Sequence, residues 1–238
     1  MLSHALREFV NAALPEHVQH RLKLHLEVET GDASEKILEI SRREASDLIV
    51  MGTQGLGGLR KLMLGSTTQR VLHGTKKPLL AIPKGGGLKP SASRSPVDHL
   101  GRILVATDFR EGSSAAVPWA FELAHDLDVP LVSVHIVQPV VVPERWRELV
   151  EGVDERNVVL AQRQLEKFAA HFGDASIKLE VSLGEPAENI ASLATKYHAG
   201  LIVMGLCNKE DSGVHGPGSI ACRLLYNSHV AILVVPPQ

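Results

Sequence analysis

Short apolar runs alternate along this chain with stretches whose apolar residues recur every three or four positions. The alternation is fullest after residue 100. Arg102 to Ala106 predicts a strand ending in Thr107-Asp108, followed by a helix through Ala116, Trp119, Ala120, Leu123 and Ala124. Leu131 to Val137 predicts a second strand. Glu144 to Phe172, with Leu149, Val158, Leu165, Phe168 and Phe172, predicts one long or broken helix. Ile177 to Val181 reads as a third strand alternating between faces. Glu185-Pro186 opens a helix, with proline at the first helical position, where its missing N–H costs nothing. Leu201 to Met204 is a fourth strand, a helix starts near Ser219, and Val230 to Val235 is a fifth. β-Branched runs separated by helices predict a parallel sheet covered on both faces.

The first part of the chain supplies only the later elements of the same unit. Ser3 to Leu14 reads as the tail of the long helix, and Lys23 to Val28 as strand three. Asp32 and Glu35 form a D-x-x-E cap for the next helix. Strand four, a loop, a helix and Leu79 to Ile82 complete it. Leu48-Ile49-Val50-Met51-Gly52 returns as Leu201-Ile202-Val203-Met204-Gly205, Gly65-Ser66 as Gly218-Ser219, Arg70 as Arg223 and Pro83 as Pro236. The shift of 153 residues holds from Gly31 to Pro83, with 14 of 53 pairs identical, so one supersecondary unit is used twice. The expected organisation is an incomplete repeat over 1–84, a Gly/Ser/Pro-rich linker over 85–99 and a complete repeat over 100–238.

Composition narrows the function classes. With 238 residues, 44% apolar and 22% charged, the chain can bury a substantial core. A net charge of -2 and nine aromatic residues (five Phe, two Tyr, two Trp) give no basic face or stacking platform for nucleic acid. No run reaches membrane-spanning length, and the first residues lack a signal-peptide pattern. Two cysteines imply no disulfide framework, so a reducing, cytoplasmic setting is expected.

The chemistry lies in a loop. After strand four the first repeat reads Gly52-Thr53-Gln54-Gly55, nine residues, then Gly65-Ser66-Thr67. Glycines just past the C-terminal end of a parallel strand let backbone N–H groups approach a phosphate. Gly65-Ser66-Thr67 adds free N–H groups, hydroxyls and the positive end of the next helix. No Gly-Lys-Ser/Thr follows, so this is not a P-loop.

Thr107-Asp108-Phe109 after strand one, His135-Ile136-Val137 ending strand two, and the Gly-x2-Gly-x9-Gly-Ser loop together resemble the universal stress protein family in tandem form. The resemblance implies a doubly wound, five-stranded parallel α/β sheet of order 3-2-1-4-5, adenine nucleotide alpha-hydrolase-like, with the first repeat lacking strands one and two. It implies a stress-response protein that binds ATP, with or without magnesium. The site carried over comprises Thr107 and Asp108 at the nucleoside, Ile136 lining the base, Met51, Gly52, Met204 and Gly205 beside the nucleotide, and Gly55, Gly65, Ser66 and Thr67 at the phosphates. In the second repeat the phosphate positions are Asn208, Gly218, Ser219 and Ile220.

Departures from the pattern leave an alternative: an interaction or structural stress protein with a degenerate pocket. Asn208 replaces a glycine, and the following spacer carries Glu210 and Asp211, which repel phosphate. The first repeat thus has the loop without the acid-bearing strand, and the second the acid with an altered loop. On the loops alone, substitution at Gly55 or Gly65 is expected to weaken nucleotide binding more than substitution at Gly218. No base to activate water is evident, so ATP hydrolysis or phosphotransfer is expected to be slow at most. Cys207, His215 and Cys222 fall in one region but match no short zinc spacing. Arg145-Trp146-Arg147 reads as a helix edge with a partly buried indole. Long apolar edges at Leu79–Ile82 and Ala231–Val235 are expected to cover each other antiparallel, as an intrachain pseudo-dimer, with two chains able to associate further. The lost strands imply that Met1 is internal to a longer protein, or that another chain or a rearranged strand fills the gap.

Overall fold

The computed structural model describes residues 2–53, 65–83, 100–170, 177–206 and 219–237. Seven strands form one sheet: β1 (Ile49–Gly52), β2 (Leu79–Ile82), β3 (Arg102–Ala106), β4 (Leu131–Val137), β5 (Lys178–Leu183), β6 (Ala199–Gly205) and β7 (Ala231–Val235). Their order is β1-β2-β7-β6-β3-β4-β5. The stretch β5-β4-β3-β6-β7 is parallel throughout and reproduces the order 3-2-1-4-5. β2 then pairs antiparallel with β7, matching Leu79 to Val234, Leu80 to Leu233 and Ala81 to Ile232. The two apolar edges of the sequence therefore cover each other, and both repeats share one sheet.

The helices are α1 (Leu2–Ala13), α2 (Glu16–Gln19), α3 (Ala33–Arg43), α4 (Ser66–Gly74), α5 (Glu111–Ser114), α6 (Ala116–Asp126), α7 (Val153–Ala170), α8 (Pro186–Lys196) and α9 (Ser219–Asn227). One face of the sheet buries Ile49, Leu79, Leu104, Val134, Ile202 and Ile232 with Val71 and Leu72 of α4, Ile190 of α8 and Leu224 of α9. The other buries Ile103, Val105, Val203 and Leu233 against Ala116, Val117, Ala120 and Ala124 of α6. Of the two forms expected after β4, one long helix or a broken one, the structure has the broken one. Glu144–Val150 is a 3-10 turn, and Gly152, at φ +70°, redirects the chain into α7.

The helix starts follow their caps, and they do so twice. Asp32 accepts from the Ser34 and Glu35 amides, and Glu185 from those of Ala187 and Glu188. Each capping acid also meets an arginine on the helix two elements later: Arg70 reaches Asp32 at 2.6 Å, and Arg223 pairs with Glu185. Both partners are related by the same 153-residue shift.

Two expectations need correction. Lys23 to Val28 is not a strand and joins no ladder. A β-strand needs a neighbour for its backbone groups, and among the described residues of the first repeat no strand flanks this one. Glu27 of this segment is held instead by Arg43 of α3 at 2.5 Å. β5 does not alternate cleanly either: its four central residues are all half-buried, as befits the sheet's outer edge.

Candidate functional site

In the complete repeat the chain leaves β3 through α5 and α6 to reach β4 on one side, while β6 lies on the other. The C-terminal ends of β3 and β6 thus flank a topological switch point, where open α/β sheets leave a crevice for ligands. Thr107 and Asp108 emerge there. The Thr107 side chain is buried, its Oγ1 3.1 Å from Ser113 Oγ and accepting from the Phe109 amide at 3.1 Å. Ser113 Oγ also accepts from the Asp108 amide at 3.2 Å and donates to the Arg110 carbonyl at 3.0 Å. Asp108 Oδ1 accepts from the Arg110 amide at 3.0 Å, and half of its side chain faces solvent. These bonds fix a turn that presents one carboxylate outward.

Aromatic packing secures the same turn. Phe109 is held at φ +62°, and its ring stacks on His135 with centroids 4.5 Å apart and meets Phe168 edge-on at 6.1 Å. A left-handed non-glycine residue costs about 1–2 kcal/mol, which the stack helps to offset. His135 Nδ1 lies 2.8 Å from the Thr107 carbonyl. A carbonyl only accepts, so Nδ1 carries the proton and donates. The histidine is a structural tie between β4 and the β3 turn. Ile136 beside it is half-buried.

At the end of β6, Met204 is buried and Gly205 half-buried. A Cβ at Gly205 would fall 1.9 Å from the Gly112 carbonyl oxygen and 2.6 Å from the Ser113 Cα. This glycine therefore admits α5, the element that carries Ser113. Ile220 packs into the core from α9, and Ser219 is the first residue of that helix. Asn208 and Gly218 lie outside the described residues.

The first repeat gathers Met51, Gly52, Gly65, Ser66 and Thr67 around the end of β1 and the start of α4. Met51 packs on the core, the Gly52 carbonyl accepts from Thr68 Oγ1 at 3.0 Å, and the Gly65 amide donates to the Thr53 carbonyl at 2.8 Å. Ser66 is exposed and Thr67 half-buried. Gly55 is outside the described residues. The antiparallel β2–β7 seam turns this repeat around, so β1 ends at the opposite rim of the sheet from β3 and β6. Laterally, β1 is also three strand spacings from β6 and four from β3, about 14–19 Å. The structure does not bring them together, and the Gly65-Ser66-Thr67 turn cannot serve the nucleotide that Asp108 would hold.

Sequence reasoning did not find Ser113, the Phe109–His135 stack, the role of Gly205, or the capping acid–arginine pairs. The last had a usable signal, since Asp32 and Glu185 are 153 residues apart, as are Arg70 and Arg223. Of the candidate zinc group, Cys207 and His215 lie outside the described residues. Cys222 is half-buried, its Sγ 3.9 Å from His73 Nε2, and burial raises its thiol pKa.

The sequence profile of the universal stress protein family matches residues 3–83 and 99–236. The chain belongs to the universal stress protein family. A universal stress protein of Mycolicibacterium smegmatis is 25% identical over 220 residues, 92% of this chain and 71% of that protein. One from Mycobacterium tuberculosis is 26% identical over 206 residues, 83% of this chain and 64% of its own length. Among solved structures, a universal stress protein from Pseudomonas aeruginosa superposes with a TM-score of 0.66 at 17% identity, over 99% of this chain and 78% of that one. One from Archaeoglobus fulgidus gives 0.61 at 21% identity, over 97% and 77%. These likenesses fix the fold. Among the described residues no helix is long and apolar enough to cross a membrane.

Proposed function

We propose that this stress-response protein binds an adenine nucleotide, ATP, at the C-terminal rim of its complete repeat, and holds it rather than turning it over rapidly. The observation that carries this reading is Asp108: an exposed carboxylate on a hydrogen-bonded turn at the switch point between β3 and β6. A carboxylate there accepts hydrogen bonds from ribose hydroxyls, while the start of α9 at Ser219 offers N–H donors to phosphates. Magnesium would arrive with the phosphates. The first repeat has the fuller glycine loop, yet among its described residues no strand supplies an acid beside β1. This shifts the expected site toward the complete repeat, against the ranking that the loops alone suggest. A cytoplasmic setting belongs to the same reading; the low cysteine count, two in 238 residues, supports it.

Calorimetric titration of the full chain with ATP tests the reading, alongside Asp108→Ala. Saturable binding in the micromolar-to-millimolar range, weakened about tenfold or more by the substitution, supports it. Absence of saturable binding overturns it, and phosphate release above background would make the protein an enzyme. The second reading, an interaction protein with a degenerate pocket, draws on Gly205, whose open side is taken up by α5. The same titration separates the two.

A further inference from the structure

The turn that presents Asp108 also presents a cation, and both rest on the same hydrogen bonds. Arg110 is fixed through its backbone. Its amide donates to Asp108 Oδ1 at 3.0 Å, and its carbonyl accepts from the Ser113 and Ser114 hydroxyls at 3.0 Å each and from the Ser114 amide at 2.9 Å. The side chain, by contrast, is 61% exposed, and its Nε stands 4.0 Å from Asp108 Oδ2, the carboxylate oxygen that the Arg110 amide does not occupy. The end of β6 sets where this turn lies. The Gly112 carbonyl oxygen, two residues beyond Arg110, sits so close to Gly205 that a Cβ there would meet it at 1.9 Å. Arg110 therefore opens the segment that crosses from the end of β3 to the end of β6. An anchored backbone thus carries a long charged side chain over the crevice between these strands.

Charge balance gives this cation a task. With the ribose held at Asp108, the 5′-phosphates of the ligand lie within a sugar's length of a carboxylate that repels them. The sequence after β6 worsens the balance, with Glu210 and Asp211 against Lys209. Arg223, on α9, is engaged by Glu185, the cap of α8. Arg110 is the arginine beside the acid. A guanidinium offers a planar fork that matches two phosphate oxygens and is less strongly hydrated than an ammonium. We propose that Arg110 is a phosphate-binding residue of this site: it leaves Asp108 Oδ2 to a ribose hydroxyl and turns its fork onto the 5′-phosphates. The proposal rests on the nucleotide reading above and adds to it the residue that makes the site prefer a nucleotide to a nucleoside.

The test titrates the full chain calorimetrically with ATP and with adenosine, in the parent, in Arg110→Gln and in Arg110→Lys. The parent should bind ATP about tenfold or more tightly than adenosine, and the gap should narrow as salt is raised. Arg110→Gln should close that gap, with ATP affinity falling about tenfold and adenosine affinity holding within about twofold. Arg110→Lys should keep part of the gap, because the charge stays and the fork is lost. The circular dichroism spectrum and melting curve should hold in both, since the bonds that build the turn come from the backbone at this position. Arg42→Gln, exposed on α3 of the first repeat, should bind both ligands as the parent does. Unchanged ATP affinity in Arg110→Gln would overturn the proposal. So would an equal fall for ATP and adenosine, which would make Arg110 a structural part of the turn. Asp108→Ala separates the two claims. If it weakens both ligands while Arg110→Gln changes neither, the nucleotide site stands and the assignment of Arg110 falls; if neither ligand binds the parent saturably, both fall.

Discussion

Replacing Gly205 with alanine should be among the most damaging single-methyl additions in the complete repeat. The new Cβ would fall 1.9 Å from the Gly112 carbonyl oxygen, 2.4 Å from its carbon and 2.6 Å from the Ser113 Cα, all backbone atoms. Real Cβ contacts do not fall below 3.0 Å, so α5 must move by roughly 1 Å or β6 must bend. Overpacking a well-filled site costs about 1–3 kcal/mol, and a clash with backbone belongs at the upper end. With a urea slope of about 3 kcal/mol/M, the unfolding midpoint should fall by about 1 M. The displacement also pulls Ser113 away from Thr107 and from the Asp108 amide, so ATP affinity should fall with stability. Gly65→Ala is the internal control. Its Cβ would lie 3.2 Å from the Thr53 carbonyl oxygen, a contact relieved by a few tenths of an ångström, and should cost less than about 1 kcal/mol. Urea denaturation followed by circular dichroism measures both. A Gly205→Ala midpoint within about 0.2 M of the parent would refute the close approach of α5 and with it the account of how the turn is held.

Three further outcomes follow. Asp32, which accepts from the Ser34 side chain and the Glu35 amide and pairs with Arg70, has its pKa lowered to about 2 from an ordinary 3.8. Its contribution to stability is therefore complete above about pH 4 and lost as the pH falls through 2; Asp32→Asn should remove that acid-dependent part of the melting temperature. Cutting Leu79, fully buried in the antiparallel seam, to alanine should cost about 2–5 kcal/mol, and calorimetry should show the melting transition moving downward. Valine at Gly218 should weaken ATP binding while valine at Gly65 leaves it unchanged; the opposite order would return the site to the first repeat.

The doubly wound order was legible because each buried strand is a nearly unbroken apolar run. The antiparallel seam was legible because Leu79–Ile82 and Ala231–Val235 are too apolar to stand as free edges. Lys23–Val28 misled for an instructive reason. Its period suits a strand, but a strand is a property of a pair, and no strand lies beside it among the described residues. Asp108 could be picked out as an acid after a strand. Ser113, which holds it, could not, because a serine on a one-turn helix carries no pattern of its own. The approach of α5 to Gly205 was hidden, because sequence shows that a glycine is required and not what approaches it. The lateral and end-to-end separation of the two loop groups was equally hidden, since it depends on the sense of the β2–β7 pairing.

Amide hydrogen exchange of the full chain with and without saturating ATP tests the central claim most directly. The account predicts slowed exchange over Thr107–Ser113, at the C-terminal end of β4 and at the start of α9, with Gly52–Thr53 and Gly65–Thr68 unchanged. Protection confined to Gly52–Thr68, or none anywhere at a concentration that saturates binding, would contradict it.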